Sequence, residues 1–260
     1  MIGKYLRPLI AHNKHIINNT QEFPQLLKSQ PPLGEDEEYV SYDVESLFTN
    51  IPIEDTIKYI IKKIYVEDKL PKICTQLIFT RLLTKLTKES TFLFQGQLSK
   101  QSDGCTMGGP LSVIIADIYM TKLEESVVIP TNPTFYRRYV DDSFNRRKKG
   151  NQDTLFDAMN KVHTNINFTV EVNPTKLLDT EIVMKGANVE TKLIHKETKL
   201  PTHWSTKTPK KFKRNAINGN FHTAWMISSN FEAEVKILRD RFLTAKYPLK
   251  FINSVIKKLP

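Results

Sequence analysis

The residue types best suited to chemistry lie in the stretch FYRRYVDDSFNRR, residues 135–147, which contains the adjacent carboxylates Asp141 and Asp142. The aromatic and β-branched residues before them favour a strand, and Ser143–Arg147 can return as a second strand. Short polar residues tolerate the positive φ of a tight turn. The pattern therefore predicts a hairpin with both acids at its tip.

Two interpretations of this tip are open, because adjacent carboxylates repel each other unless cations lie near them. In the first, the turn is solvated and nearby arginines neutralise the acids, namely Arg137, Arg138, Arg146 and Arg147. In the second, the tip is a divalent-metal site, since Mg²⁺ prefers hard oxygen ligands on a rigid support. A third acid on another strand would favour the second interpretation.

The strand predicted over Tyr39–Val44 supplies that acid, Asp43, near its C-terminal end. The predicted order is this strand, helices, a glycine-bearing loop, a helix, the hairpin, a helix and a strand over Phe168–Val172. Such an order predicts an α+β fold, a βαββαβ-like antiparallel sheet with helices on one face. In that sheet the Asp43 strand can lie beside the hairpin and bring three carboxylates together.

Three clustered carboxylates are strongly anionic and require cations. Two Mg²⁺ ions about 3.5–4 Å apart can activate one oxygen and stabilise another during an in-line phosphoryl displacement. The cluster therefore predicts nucleotidyl transfer.

The elements between Asp43 and the hairpin are predicted from apolar spacing. A helix follows Pro52, and a second helix over Lys72–Thr87 is expected to bury one apolar stripe. These two stripes are Ile57, Ile60, Ile61 and Ile64, and then Ile73, Leu77, Ile78, Leu82 and Leu86. The loop Gln101–Pro110 has three glycines, which let a backbone approach a ligand, although a plain helix-entry turn is the alternative. Asp117, in the following helix, is interpreted as structural or solvated.

Composition bounds the class of protein. The chain has 260 residues, of which 40% are apolar and 25% charged, so a globular domain, alone or with a smaller appendage, is expected. No apolar run is long enough for a membrane span, and no signal peptide is expected. The two cysteines form no CxxC pair, which disfavours a zinc ribbon or a disulfide framework and fits an intracellular location.

The positive charge is concentrated near the C-terminus. Residues 201–260 contain 12 Lys and Arg against 3 Asp and Glu, whereas the first 200 residues contain 26 against 25. Solvated faces usually mix both signs, so a one-signed segment is typical of a surface for a phosphate backbone. Aromatic residues are interleaved in it, namely Trp204, Phe212, Phe221 and Trp225.

Three stretches resemble motifs A, B and C of reverse transcriptases: SYDVESLFTNIP, DGCTMGGPLSVIIADIYM and FYRRYVDDSF. The chain resembles the Penelope-like retroelement family, relatives of telomerase reverse transcriptase, from about Tyr5 to Ile256. FTVEVNPTKLLDTEI and the basic tail match further, the tail resembling this family's thumb. The resemblance implies a right-hand polymerase palm with partial fingers over residues 1–200 and a helical, thumb-like region over residues 201–260.

The resemblance also implies residue roles. Asp43 and Asp141 would hold two Mg²⁺ ions, with Mn²⁺ as an alternative, and Asp142 would support them. Phe48 would be a steric gate against a ribose 2′-OH, although a plain core position is also open. Lys176 would donate a proton to the leaving pyrophosphate, with a surface lysine as the alternative. The loop residues near the nucleotide and template base would be Gly108, Gly109 and Pro110.

Further residues would contact nucleic acid by the same resemblance. A primer grip would comprise Leu177, Leu178, Asp179 and Thr180. The template–primer backbone would be held by Lys210, Lys211, Lys213 and Arg214, and a nuclear-import signal is an alternative role for that basic cluster.

The implied function is an RNA-directed DNA polymerase core that uses an RNA template, a DNA primer and deoxynucleoside triphosphates in the nucleus. A binding remnant that holds template–primer without polymerising is the alternative, and Phe48 disfavours an RNA-dependent RNA polymerase. Relative to the family, the upstream fingers strands and a GIY-YIG endonuclease domain have no counterpart. A truncated or decayed element copy with a high KM for nucleotide is therefore expected.

Overall fold

A computed structural model describes residues 2–88, 91–100, 104–106, 108–150, 154–196, 198 and 200–256. Parts of three predicted elements lie outside these ranges: residues 101–103 and 107 of the glycine loop, residue 153 of a helix predicted over Asp153–Val162, and residues 257–258 of a helix predicted over Leu249–Lys258. The described residues form an α+β fold with antiparallel strand pairs, as predicted.

Eleven α-helices occur in the described residues. They are α1 (Ile2–Leu6), α2 (Glu22–Lys28), α3 (Leu47–Asn50), α4 (Ile53–Ile61), α5 (Gln76–Lys88), α6 (Ser112–Leu123), α7 (Ile129–Thr131), α8 (Thr154–Asn160), α9 (Lys210–Ile227), α10 (Phe231–Thr244) and α11 (Leu249–Ile256). A 3₁₀ turn follows α1 over Arg7–Leu9, and π-helical turns extend α4 and α6 over Lys62–Val66 and Glu124–Val128.

In the part of the chain that the structure describes, the strands form three sheets. They are β1 (Glu37–Val44), β2 (Thr91–Phe94), β3 (Gln97–Lys100), β4 (Phe135–Tyr139), β5 (Asp142–Lys148), β6 (Phe168–Val172), β7 (Lys176–Leu177), β8 (Thr180–Lys185) and β9 (Asn188–Leu193). The largest sheet has the order β4-β5-β1-β6, the hairpin β2-β3 stands alone, and the third sheet has the order β7-β8-β9.

The four-stranded sheet confirms that the Asp43 strand lies beside the hairpin. β1 is hydrogen-bonded to β5 on one side and pairs antiparallel with β6 on the other, with Asp43 opposite Thr169. Val40, Tyr42 and Val44 of β1 are buried, whereas Asp43 between them is exposed. This alternation turns the apolar side chains to the core and leaves the acid accessible.

The stripe on α4 is buried as predicted, but the prediction for α5 is wrong. Phe79 and Leu83 are the α5 side chains buried in the core, and the Phe79 ring packs against the rings of Tyr5 and Tyr65, with centroids 5.7 and 6.3 Å away. Leu82 is partly buried at the edge of this core. The other predicted core residues of this segment are exposed: Ile73, Leu77, Ile78 and Leu86. α5 has two apolar stripes, and the one with the large aromatic ring faces inward.

Contacts divide the chain into two compact units, Met1–Ile16 with Glu38–Asn173, and Ile17–Glu37 with Pro174–Pro260. The predicted boundary at residue 200 stays a prediction. Within the second unit, β9 packs with the C-terminal helices. Thr191 Oγ1 donates to the Ile227 carbonyl at 2.5 Å. The assignment of palm, partial fingers and thumb to parts of the chain stays a prediction.

The second unit has its own apolar core. Helices α9, α10 and α11 bury a cluster that includes Phe221, Leu238, Phe242 and Ile252.

In the described part of the chain, no helix is both long enough and apolar enough to cross a membrane.

Candidate active site

The hairpin turn differs from its prediction in one respect. Tyr139 pairs with Asp142, so the turn residues are Val140 and Asp141, and Asp142 is the first residue of β5. The positive φ falls on Val140, at 56°, rather than on an acid. A β-branched residue in this region is strained by about 1–2 kcal/mol. The tip is therefore held by its surroundings and not by the preference of its residues.

The three aspartates influence one another electrostatically. Partial burial and the nearby charge of Asp141 raise the pKa of Asp43. Burial, together with the charges of Asp141 and Asp43, raises the pKa of Asp142 to about 6. The hydroxyl of Ser143, next to Asp142, donates to the carbonyl of Tyr42, next to Asp43, at 3.2 Å, and this contact ties the two strands together. The structure thus brings the predicted acids into one anionic cluster.

Metal binding by this cluster stays a prediction. Within the ranges that the structure describes, no three His, Cys, Asp or Glu side chains form a group that could enclose a metal ion. Mg²⁺ at nucleotide-dependent sites is usually held by one or two carboxylates together with substrate phosphates rather than by a complete protein cage. Of the three carboxylates, Asp43 is exposed and Asp141 and Asp142 are partly buried, so an ion held here would rely on substrate oxygens for its other ligands.

Stability without metal should depend on pH through Asp142. Its folded-state pKa of about 6 exceeds the ordinary 3.8, so the folded protein retains a proton that the unfolded chain loses. The metal-free chain should therefore lose stability as pH rises through the interval between these values. Asp142→Asn stays neutral, so its gain in Tm over wild type, measured with a chelator present, should be larger at pH 7 than at pH 4. Equal differences at the two pH values would contradict the raised pKa.

The segment carrying Phe48 is fixed by the glycine loop. After β1 the chain turns through Ser46, with φ 51°, into the short helix α3. The Cys105 N–H donates to the Phe48 carbonyl at 2.6 Å. Gly104 has φ +72°, and a Cβ there would lie 2.3 Å from the Thr49 carbonyl oxygen. Phe48 itself is partly buried at the edge of the core, so its backbone is fixed while part of the ring is accessible.

The other loop residues lie just before α6. Gly108 has φ +79°, a conformation that favours glycine, and open space where a Cβ would be. Gly109 is constrained instead, because a Cβ there would lie 2.5 Å from Ser112 Oγ. That hydroxyl donates to the Thr106 carbonyl at 2.6 Å. Pro110 is exposed, and nucleotide contacts for these residues stay predictions.

The predicted primer grip belongs to the second compact unit. Lys176 is exposed on β7, where it pairs with Glu181 across the ladder, while the neighbouring Leu177 is buried. Leu178 has φ 54° and leads to Asp179, whose carbonyl accepts the Ile194 N–H at 2.9 Å. Thr180 is fully buried. These residues form a tight turn, and their roles toward primer and pyrophosphate stay predictions.

Lys213 is not available to a phosphate backbone, in contrast to its prediction. Its side chain is buried and lies over the Trp204 ring, with Nζ 4.6 Å from the centroid. Nζ donates to the carbonyls of Trp204 and Thr206 and so fastens the preceding loop to α9. Lys213 sits on the inner face of the helix. The three other predicted cations, Lys210, Lys211 and Arg214, are exposed.

Lys213 and Lys211 should therefore give opposite phenotypes. Lys213→Met leaves two carbonyls without their donor and should cost about 1–3 kcal/mol of folding free energy. Lys211→Met should leave stability unchanged but lower duplex affinity and flatten the log–log salt dependence by about 0.9 if one phosphate contact is lost. Denaturant unfolding and salt-dependent binding titrations measure both effects. A stable Lys213→Met with a flattened salt dependence would reverse the assignment.

The sequence did not reveal the partner of the buried Arg138. Its guanidinium pairs with Glu124 rather than neutralising the hairpin acids, with Nε 2.6 Å from Oε1, and Asp117 Oδ1 lies 2.9 Å from Nη1. The prediction that Asp117 is structural or solvated agrees with this pairing. The sequence did offer one indication that Glu124 needs a buried partner. Glu124 is a single charged residue on the otherwise apolar face that continues α6. Arg147, another candidate for neutralisation, pairs with Glu38 at 2.9 Å.

Comparison with known proteins places this fold. No family description matches the chain, and no curated protein matches it. The telomerase of Candida albicans, solved in complex with a TWJ fragment of telomeric RNA, matches with a TM-score of 0.62 at 10% identity, over 99% of this chain and 47% of that chain. The apo telomerase of Candida tropicalis matches with a TM-score of 0.54 at 14% identity, over 98% and 49%.

The fold of the chain is similar to the fold of these telomerases. A third structure, the Candida tropicalis telomerase with the TWJ fragment, matches with a TM-score of 0.53 at 16% identity, over 97% of this chain and 44% of that chain. The telomerase-like fold described here thus spans about half the length of those chains. At these identities the similarity shows the fold, and the Penelope-like subfamily remains an inference from the sequence motifs.

Proposed function

We propose that this chain is the polymerase core of an RNA-directed DNA polymerase that transfers deoxynucleotides to a primer 3′-OH on an RNA template. The observation that carries the proposal is the electrostatic cluster that Asp43 of β1 forms with Asp141 and Asp142 at the turn of the hairpin beside it. The telomerase-like fold supports it, and the sequence motifs further support an origin in a Penelope-like retroelement. Two of the matched telomerases were solved with a TWJ fragment of telomeric RNA, which agrees with an RNA partner.

The aspartates would hold two Mg²⁺ or Mn²⁺ ions, which when bound supply charge stabilisation at the attacking and leaving oxygens. Asp43 and Asp141 would bind the ions, and Asp142 would add negative charge beside them. The strand pairing fixes the separation of these carboxylates before substrate arrives, so little reorganisation is needed during reaction. Exposed cations on α9, Lys210, Lys211 and Arg214, would contact the template–primer backbone.

Primer extension tests this proposal directly. The 260-residue chain should extend a DNA primer on an RNA template with deoxynucleotides and Mg²⁺, and a chelator should abolish the reaction. Tight, salt-dependent binding of the template–primer without extension at any nucleotide concentration would refute the polymerase proposal and leave a binding protein. Extension with ribonucleotides alone would refute the DNA product.

Phe48 should govern sugar selectivity. Phe48→Ala should raise ribonucleotide relative to deoxyribonucleotide incorporation by roughly 10-fold or more, because the clash with the 2′-OH is removed. Its stability cost should stay below the roughly 3–5 kcal/mol of a fully buried Phe, since the ring is partly exposed. The control is Leu47→Ala: Leu47 is buried, so stability should fall without a change in selectivity. A folded Phe48→Ala with unchanged selectivity would leave Phe48 as a core residue only.

A further inference from the structure

Arg138 makes an unusual set of contacts for a residue on a catalytic hairpin. Its side chain is fully buried. Nε and Nη2 donate to the two carboxylate oxygens of Glu124 at 2.6 and 3.3 Å, and Nη1 donates to Asp117 Oδ1 at 2.9 Å. The same Nη1 donates to the carbonyl of Val140 at 3.0 Å. One planar fork thus joins helix α6 and its π-helical extension to the hairpin turn.

The network is anchored on its far side as well. Asn13 Nδ2 donates to Glu124 Oε2 at 2.6 Å and lies 3.1 Å from Thr121 Oγ1. The backbone N–H of Arg138 donates to the His15 carbonyl at 2.7 Å, so the segment before Ile17 runs along the outer edge of β4. Glu124 and Arg138 are consequently held from two directions, and neither can turn toward the aspartates without losing several bonds.

Charge neutralisation alone does not account for this arrangement. Buried ion pairs often add little stability compared with apolar residues of the same volume. The contact to Val140 neutralises no charge. It holds the carbonyl of the residue with φ 56°, which directly precedes Asp141. Positive φ at a β-branched residue persists only where the surroundings impose it. The guanidinium is the side-chain donor that the structure shows at this carbonyl.

We propose that Arg138 is a positioning residue, which fixes the strained Val140 turn through its carbonyl and thereby sets where Asp141 stands relative to Asp43. The proposal rests on the proposed polymerase function. A second consequence follows from the same contacts: with its guanidinium committed to Glu124 and Asp117, Arg138 leaves the hairpin acids to bind external cations. Lysine cannot replace it, because a single ammonium does not span Glu124, Asp117 and the Val140 carbonyl.

The test compares Arg138→Lys with Arg147→Lys. Both arginines lie on this hairpin and pair with a glutamate, Glu124 or Glu38, but Arg147 makes its contact at the other end of β5. Mn²⁺ affinity is measured on the substrate-free chain by electron paramagnetic resonance, and kcat, nucleotide KM and the half-saturating Mg²⁺ concentration are measured in primer extension. Arg138→Lys should weaken Mn²⁺ binding and lower kcat, each by about 10-fold, with duplex affinity unchanged. Arg147→Lys should match wild type.

The outcomes separate this proposal from the polymerase function. A merely structural Arg138 would lower Tm, yet the folded fraction would keep wild-type Mn²⁺ affinity and kcat, and that result would overturn the proposal. If Arg138→Lys does not fold, Glu124→Gln, which keeps the shape and loses one acceptor for the guanidinium, decides by the same readouts. Weakened Mn²⁺ binding in a chain that never extends primers would support positioning and refute the polymerase. Wild type that binds no Mn²⁺ would refute both.

Discussion

Asp141→Asn should reduce primer extension by about 10³-fold or more while the chain stays folded. Charge stabilisation by a bound metal contributes several kcal/mol to an in-line displacement, and each 1.36 kcal/mol corresponds to about tenfold in rate. Asparagine retains the size of the side chain but loses the charge that holds the ion. The change also removes the charge of Asp141, which contributes to the raised pKa of both Asp43 and Asp142, so Tm without metal should rise.

Asp68→Asn is a matched control for this experiment. Asp68 lies on the surface, 70% exposed, where it pairs with Lys72, and an exposed pair of this kind contributes little. Its replacement should change neither extension nor Tm appreciably. Near wild-type extension by Asp141→Asn would end the two-metal assignment.

Gly104→Ala should lower the free energy of unfolding of the first unit by about 2–5 kcal/mol. This cost is the sum of the strain of alanine at positive φ and of the overpacking by its Cβ. The added Cβ would lie 2.3 Å from the Thr49 oxygen and 2.6 Å from the Phe48 oxygen. These are backbone atoms, so the α3 segment must move to make room. Deoxynucleotide selectivity should therefore weaken along with stability, because the moving segment carries Phe48.

The control for Gly104 is Gly96, which has φ +79° and nothing within 4 Å of an added Cβ. Gly96→Ala should cost only the strain of positive φ. Circular dichroism is the suitable probe of unfolding, because both tryptophans, Trp204 and Trp225, lie in the second unit. Equal losses of stability for the two variants would show that the close approach to Thr49 does not constrain the loop.

The sheet could be predicted because its strands follow simple patterns. Tyr39–Val44 alternates apolar and polar residues, and the aromatic residues before Asp141 mark β4. The order of the elements then leaves few possible positions for β1 in the sheet. The predicted position, beside the hairpin, is the observed one. The anionic cluster follows from that topology, since Asp43 needs only to face solvent at the end of its strand.

Other features depend on tertiary contacts that local patterns do not encode. Lys213 belongs to a basic cluster of the kind that binds phosphate. Its position on the inner face of α9, however, places its side chain over the Trp204 ring. The apolar residues of α5 form two stripes, and only packing with Tyr5 and Tyr65 selects Phe79 and Leu83. Positive φ falls on Val140 because an arginine from the preceding strand holds its carbonyl, whereas turn propensities favoured the acids.

The position of β1 inside the sheet bears on how the chain is made. Its neighbours are distant in sequence: the Ser143–Tyr42 hydrogen bond spans 101 positions, and Val40 pairs with Val172. At the usual rates of translation, roughly 5–25 s should pass between the synthesis of β1 and the synthesis of β6. Until β5 and β6 have both emerged, β1 lacks at least one of its neighbouring strands and Val40 and Tyr42 cannot take their final places, so the nascent chain should be a substrate for chaperones. Asp43 likewise acquires its acidic neighbours only late in translation, so an incomplete chain ending before Asp141 cannot form the cluster.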